Sequence, residues 1–314
     1  MGYAQMWLGF STEGLGLWNG GEFRAGGANV HGGAPTAAFV GDCQVLDNIE
    51  GDKLTYLEYL WYQQRIGRFT VKAGLQDLNE NFVSSGASGE FINSSFGMFP
   101  VLAMNMPLAV FPITALAVEV HCDLGDRWHM QVAAYDGSPT SVACDPYNVK
   151  WTMGSSEGML AAFECQYNQT IAGKEGSTRV GVFHHSAQNS TAVYGAFEQT
   201  LCRHGGRSFT PFLQTSALLD NVDSTADFHF AAGISLDKVF SKGGRDAAGI
   251  AFSMLRFNNE GLKTETAVEF FYGYRVNDFF FLKLDLQYIV NPYVTNFEKV
   301  DGAFAGILRF QFEI

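Results

Sequence analysis

The segment "FFFLKLDLQYIV", residues 279–290, puts Phe280, Leu282, Leu284, Leu286, Tyr288 and Val290 on one side of an extended chain and Lys283, Asp285 and Gln287 on the other. A period of two belongs to strands, whose side chains point alternately to opposite faces; a helix repeats every 3.6 residues. The same alternation recurs in "TADFHFAAGISL" (225–236), where Phe228, Phe230, Ala232, Ile234 and Leu236 oppose Asp227, His229, Ala231, Gly233 and Ser235. It closes the chain in "GILRFQFEI" (306–314), with Leu308, Phe310, Phe312 and Ile314 against Arg309, Gln311 and Glu313. Such a chain must fold into strands that each have one apolar and one wet face.

Similar segments extend over residues 158–168, 177–185, 191–202, 207–218, 246–257 and 263–275, separated by turn clusters such as "RHGGRS", "FNNEGLK" and "RVND". Weaker candidates before residue 135 bring the total to about sixteen strands, an even number suited to a closed up-and-down barrel. Soluble strands average about 5–6 residues, whereas a strand crossing a membrane needs about 9–11. Most of these segments are of the longer kind. Connections alternate between short ("IGR" at 66–68, "DLGDR" at 123–127) and long (77–112, 136–157), as when one rim carries tight turns and the other long loops. With the N-terminus on the short-turn side, 77–112 becomes the third long loop. The fold class expected is all-β: a transmembrane antiparallel up-and-down β-barrel of about sixteen strands, a single domain over residues 1–314, with the long loop folded inward.

Composition narrows the partners. The 35 glycines, 14% aromatics and 17% charged residues suit extended segments, and a mean hydropathy of +0.01 is too polar for a bundle of membrane helices. A net charge of −12 without a Lys/Arg cluster argues against nucleic acid. The apolar run 92–120, "INSSFGMFPVLAMNMPLAVFPITALAVEV", holds Pro100, Pro107 and Pro112, so it cannot be a membrane helix. It divides into a loop end and a strand beginning near "ITALAVEV". Trp7, Trp18, Tyr59, Trp61, Trp128, Phe279 and Tyr293 fall near strand ends, where an interfacial girdle would place them. Cys43, Cys122, Cys144, Cys165 and Cys202 show no metal spacing and read as small fillers.

Several stretches in chain order carry a family likeness: "VGDCQVLDNIEG", "LEYLWYQQRI", "VKAGLQDLNENFVSSGASGEFINSSFGMFP", "GGRDAAGIAF", "ETAVEFFYGY", "LDLQYIVNP" and "GILRFQFEI". Together they resemble the carbohydrate-selective porins of the OprB family from about residue 5 to the end. The block at 73–100 and "LQYIVNP" are the most specific pieces. The resemblance implies a bacterial outer-membrane barrel through which small sugars diffuse, narrowed by inward loops, with outer-membrane lipid around it, a monomer or homotrimer as the assembly, and no cofactor. The sequence departs from the family in its N-terminal segment, which is missing along with a visible signal peptide, and in ending on Ile314 where such barrels usually end in an aromatic.

Strand parity nominates lumen residues: Glu58 with Tyr62 and Gln64, Lys72 with Gln76, Glu119, Gln131, Glu164 with Gln166, Arg179, Gln214, Glu265 with Glu269, Lys283 with Asp285 and Gln287, and Arg309 with Gln311. The loop 77–112 is the expected constriction. It holds Asp77, Asn79, Glu80, Asn81, Glu90 and Asn93 for sugar hydroxyls beside Phe82, Phe91 and Phe96 for the apolar face of a pyranose. Its tail from Met98 to Phe111 would pack on the inner wall or cover the mouth. Among rival readings, a general or ion-conducting porin needs no sugar chemistry. A barrel hydrolase would rest on His185 and Ser186, but adjacent strand residues point apart and cannot pair on one face. The same geometry stops His184 and His185 from chelating one metal. A soluble β-rich binding module conflicts with long strands that carry a continuous apolar face.

Overall fold

The computed structural model describes all residues except 52, 84, 141–143, 152–155, 205, 206, 221–223, 242, 260 and 294–299, and only the backbone of 202–204. Long strands dominate it: β1 (Gly2–Ser11), β2 (Gly21–His31), β3 (Leu54–Ile66), β4 (Phe69–Gln76), β5 (Ala115–Leu124), β6 (Trp128–Asp136), β7 (Met159–Ile171) and β8 (Lys174–His185). They continue as β9 (Ser190–Gln199), the short β10 (Cys202–His204), β11 (Arg207–Leu218), β12 (Ala226–Asp237), β13 (Asp246–Phe257), β14 (Glu265–Arg275), β15 (Phe280–Val290) and β16 (Gly302–Phe312). Each long strand pairs antiparallel with the next, in one path from β1 to β16 that β10 joins only through β11. Among the described residues no helix is long and apolar enough to cross a membrane.

The two faces of this sheet are inverted relative to a soluble protein. Val118, Val132, Phe163, Val180, Leu213, Ile250, Leu284 and Leu308 are exposed on the outside, while Glu119, Glu164, Glu269, Asp285 and Lys283 are buried on the inside. Lipid has no hydrogen bonds to offer, so an apolar exterior and fully paired strands are what a bilayer requires. The sheet also surrounds its loops. The segment 80–93 meets Lys72 of β4 at one end and Glu269 and Gln287 of β14 and β15 at the other, with β5, β7, β9 and β11 in between.

Two expectations are corrected here. Strand β3 carries a bulge: Gly26 pairs Tyr59 and Gly27 pairs Leu57, leaving Glu58 as the extra residue. One added residue reverses parity beyond it. Tyr62 therefore shares a face with Phe23 and, through Ala73, with the exposed Val118, so Tyr62 and Gln64 lie outside rather than in the lumen. Tyr59 and Trp61 turn inward instead, away from the girdle expected for them. Secondly, the connection 12–20 lies at the same rim as the tight turns at 67–68 and 125–127, so β1 starts at the long-loop rim. The connection after β4 is then the second long one, after 32–53.

The apolar run at 98–112 packs on the inner wall. Pro100 opens a short helix, α1 (Pro100–Asn105), at the position where its missing N–H costs nothing, and Pro107 follows its end. Phe99, Leu102, Met106, Leu108 and Ala109 are buried against Tyr135, Leu160, Phe183 and Tyr194 of β6 to β9.

Candidate functional site

The long loop starts from a clasp. Asp77 accepts the N–H of Asn79 (2.7 Å) and that of Phe111 (3.0 Å), and the Leu78 N–H donates to the Ala109 carbonyl (2.7 Å), so one side chain ties both ends of the loop. Burial pushes the Asp77 carboxyl up to about 7. From this clasp the chain runs round the inner wall, and the wall meets it with carboxylates. Glu119 accepts from the Asn81 amide (2.6 Å), with Tyr135 and His121 on the same group. Glu164 accepts the Val83 N–H (3.1 Å), the Tyr194 hydroxyl (2.5 Å) and the Gln131 amide (2.9 Å). Glu198 accepts the Ser85 hydroxyl (2.7 Å) and the Ala87 N–H (2.9 Å). Glu269 accepts the N–H groups of Ile92 (2.7 Å) and Asn93 (2.9 Å). Short turns pair part of the loop with itself, as Phe82 N–H does with Leu78 O and Phe91 N–H with Ser88 O; the buried N–H groups between those turns need a wall partner, and a carboxylate is the strongest acceptor available.

The far side of the belt is closed by both inward loops. The Asn93 amide donates to Gln287 (3.0 Å), Lys283 donates to the Glu90 carbonyl and lies 3.8 Å from its carboxylate, and Asp285 accepts from Gln287 (2.9 Å). Arg309 pairs with Asp47 and Asn48 of the 32–53 connection, which bonds to the longer loop through Asn48 N–H to Ile92 O (2.8 Å). Phe91 sits among Phe96, Phe212 and Phe271, with centroids 5.0, 5.5 and 4.9 Å away. Asn79 cross-links the loop internally through the carbonyls of Phe82 and Gly97.

A distinct cluster opens to water through Trp7, Glu80 and part of Arg24, with Lys72 and Trp61 buried beneath them. The Arg24 guanidinium lies between the rings of Trp7 (4.6 Å) and Trp61 (4.8 Å), and the Lys72 ammonium lies over Trp61 (4.6 Å). Glu80 bridges both cations, 3.0 Å from Arg24 and 2.9 Å from Lys72. The Glu80 side chain keeps 28% of its surface and Trp7 keeps 51%. Two cations, the carboxylates Glu80 and Glu22, and two indoles thus converge at one end of the loop belt, where Glu80 and Arg24 can bind hydroxyls by charge-assisted bonds and the exposed Trp7 can meet the apolar face of a sugar ring.

The residues nominated from sequence therefore separate by environment. Glu80, Glu90, Arg179 and, more narrowly, Arg309 reach solvent, whereas Lys72, Asp77, Phe91, Asn93, Glu119, Glu164, Glu269, Lys283 and Asp285 are enclosed and act as clasps and struts. Glu58 is buried at the bulge, where it accepts from Tyr3 (2.9 Å) and Gln5 (2.6 Å). Phe91 and Asn93, expected to face a sugar, face protein instead, because the loop needs its own core. Sequence reading missed Trp7, Arg24, Trp61 and Glu198. Arg24 sits in the Gly-rich β2, where alternation is faint, and Trp61 lies just beyond the bulge. Only the cross-strand register, Arg24 opposite Trp61, brings these two together.

A family model described as carbohydrate-selective porin, OprB family, matches residues 4–195 and 174–314. No curated protein sequence matches the chain. The high pH structure of Pseudomonas putida OprB superposes with a TM-score of 0.86 at 18% identity, covering 99% of this chain and 87% of that one. Its low pH structure gives 0.62 at 19% identity over 99% and 84%. The loop L8 deletion mutant of OmpT, an outer membrane protein of Vibrio cholerae, gives 0.56 at 10% identity over 99% and 90%. At these identities the structural likenesses concern the fold.

Proposed function

The chain belongs to the carbohydrate-selective porins of the OprB family, proteins of the bacterial outer membrane, and on that premise we propose that it is one barrel domain through which small sugars diffuse passively. The observation that carries this reading is the cluster of Trp7, Arg24, Trp61, Lys72 and Glu80. A permeant sugar must lose part of its water to enter a narrow passage, and charged donors and acceptors beside aromatic rings replace that hydration.

In this reading Glu80, Arg24 and Trp7 touch the permeant while Lys72 holds Glu80 from beneath, and Glu90, Arg179 and Arg309 border the wet path. Asp77, Asn79, Phe91, Asn93, Glu119, Glu164, Glu269, Lys283 and Asp285 fix the loop that sets its width, and Glu58 ties the β3 bulge to β1. Every one of these residues comes from one chain, so conduction needs no second copy, whether the protein works as a monomer or a homotrimer. The activity involves no bond chemistry and no cofactor.

Liposome swelling tests the proposal. Vesicles carrying the protein are expected to swell in small sugars and progressively less in larger ones, and Trp61→Ala is expected to change the rate for sugars more than for salts. Vesicles permeable to ions but equally impermeable to every sugar would contradict it.

A further inference from the structure

Between the loop belt and the short-turn rim, β7, β8, β9 and β11 together with Asp126 and Arg127 of the β5–β6 turn hold a cavity of about 570 Å³, within the roughly 300–1,000 Å³ of small-molecule sites. Its lining is polar and includes Gln166, Asn168, Arg179, Glu198, Thr200 and Thr210. These groups are held in order. Asp123 bonds His129 (2.7 Å), His129 meets the Asn168 amide (3.0 Å), Asn168 accepts from Gln166 (2.7 Å), and Gln166 accepts from Arg179 Nε (2.9 Å). A chain of this kind fixes which edge of each amide donates and which accepts, so little ordering remains to be done on binding. On the opposite side stands Glu198. Its Oε2 is taken by the loop at Ser85 and Ala87, while Oε1 accepts only from Ser177 (3.1 Å) among the described residues and borders the cavity.

We propose that this cavity is a second saccharide subsite, on the short-turn side of the loop belt, that holds a neutral sugar through its hydroxyls alone. The inference rests on the sugar-permeant reading above. A vicinal diol donates to a carboxylate and accepts from an amide, and Glu198 and the Gln166–Asn168 amide chain present both roles across one cleft. Among the described residues no aromatic ring lines it, so binding is weak and release toward the short-turn side is fast, as an exit site requires. The division of labour in Glu198 lets a sugar occupy Oε1 while Oε2 keeps the loop in place.

Sugar-induced current noise in a planar bilayer, with D-glucose added to one face at a time, reads this site. In the native protein glucose from the short-turn face is expected to enter at least about fivefold faster than from the other face. Asn168→Leu and, separately, Thr210→Val are expected to shorten the blocked time two- to tenfold for glucose added at the short-turn face. For each variant a native-like shift in gel mobility on heating shows that the barrel has folded. Equal entry rates from the two faces, or blocked times unchanged in both folded variants, would overturn the subsite while leaving sugar permeation standing. Absence of any glucose effect on the native channel from either face would overturn the subsite and the sugar reading together.

Discussion

At Glu58 the backbone of β3 gains one residue, and the identity of the lumen-facing side chains changes from there to the turn. Trp61 turns to the inner side, where it is buried under Arg24 and Lys72, and Tyr62 leaves for the outer surface. Lipids brominated on the acyl chains should therefore quench the exposed Trp128 and leave Trp61 unaffected; the fluorescence lost on adding brominated lipid should fall in Trp128→Phe and stay the same in Trp61→Phe. Equal loss in both variants would contradict the bulge. Glu80 sits between two cations, so Glu80→Gln should shift the zero-current potential in a salt gradient toward anion preference; an unchanged potential would remove Glu80 from the conducting path. Asp77 carries a pH prediction. Its carboxyl is raised from an ordinary 3.8 to about 7 by burial, so between these values the folded state holds a proton that the unfolded state has lost. Its contribution to stability is then full below about pH 4 and is lost as pH rises through 7. The apparent Tm should decline over pH 4–8 less steeply in Asp77→Asn than in the native protein, and identical slopes would refute the assignment.

The loop that follows Asp77 is held as an element rather than by any one contact. Four wall carboxylates, Glu119, Glu164, Glu198 and Glu269, receive it along its length, and the Phe91 cluster supplies its aromatic core on the β11 to β14 side. Removing Glu269 would leave the amides of Ile92 and Asn93 buried without an acceptor, at roughly 1–3 kcal/mol each. Phe91→Ala would cost about 3–5 kcal/mol of docking. Both variants should keep the barrel but free the loop, seen as larger and noisier single-channel conductance and cleavage of residues 80–93 by added protease; a quiet, protease-resistant channel of native conductance would contradict the belt. Much of this element was legible in the sequence. The strands from β7 onward announce themselves because their two faces differ in polarity, and the prolines at 100, 107 and 112 exclude a spanning helix. What escaped is pairwise. A glutamate on the polar face of a strand looks the same whether it awaits a sugar or a backbone N–H, and the choice depends on which loop residue lies opposite, some 80 to 180 positions away in the chain. The faint alternation of the Gly-rich β2 hid Arg24, and a bulge has no signature in a run such as "LEYLWYQQ".

For the whole molecule, an apolar exterior and a charged interior filled by two inward loops meet one physical requirement, a path through lipid that is wet yet narrow. The net charge of −12 does not settle what passes, because wall carboxylates such as Glu119, Glu164, Glu198 and Glu269 are committed to the loop and the open cluster balances Arg24 and Lys72 with Glu80 and Glu22. Selectivity is then expected from shape, hydroxyl bonding and stacking rather than from charge. The most direct test is the conductance of single channels in a planar bilayer as glucose is added at constant ionic strength. Stepwise openings are expected, with a current that falls in a saturable way with sugar and loses that saturation in the Trp61→Ala variant. A current that declines only in proportion to the viscosity of the solution, in native protein and variant alike, would contradict sugar binding within the channel.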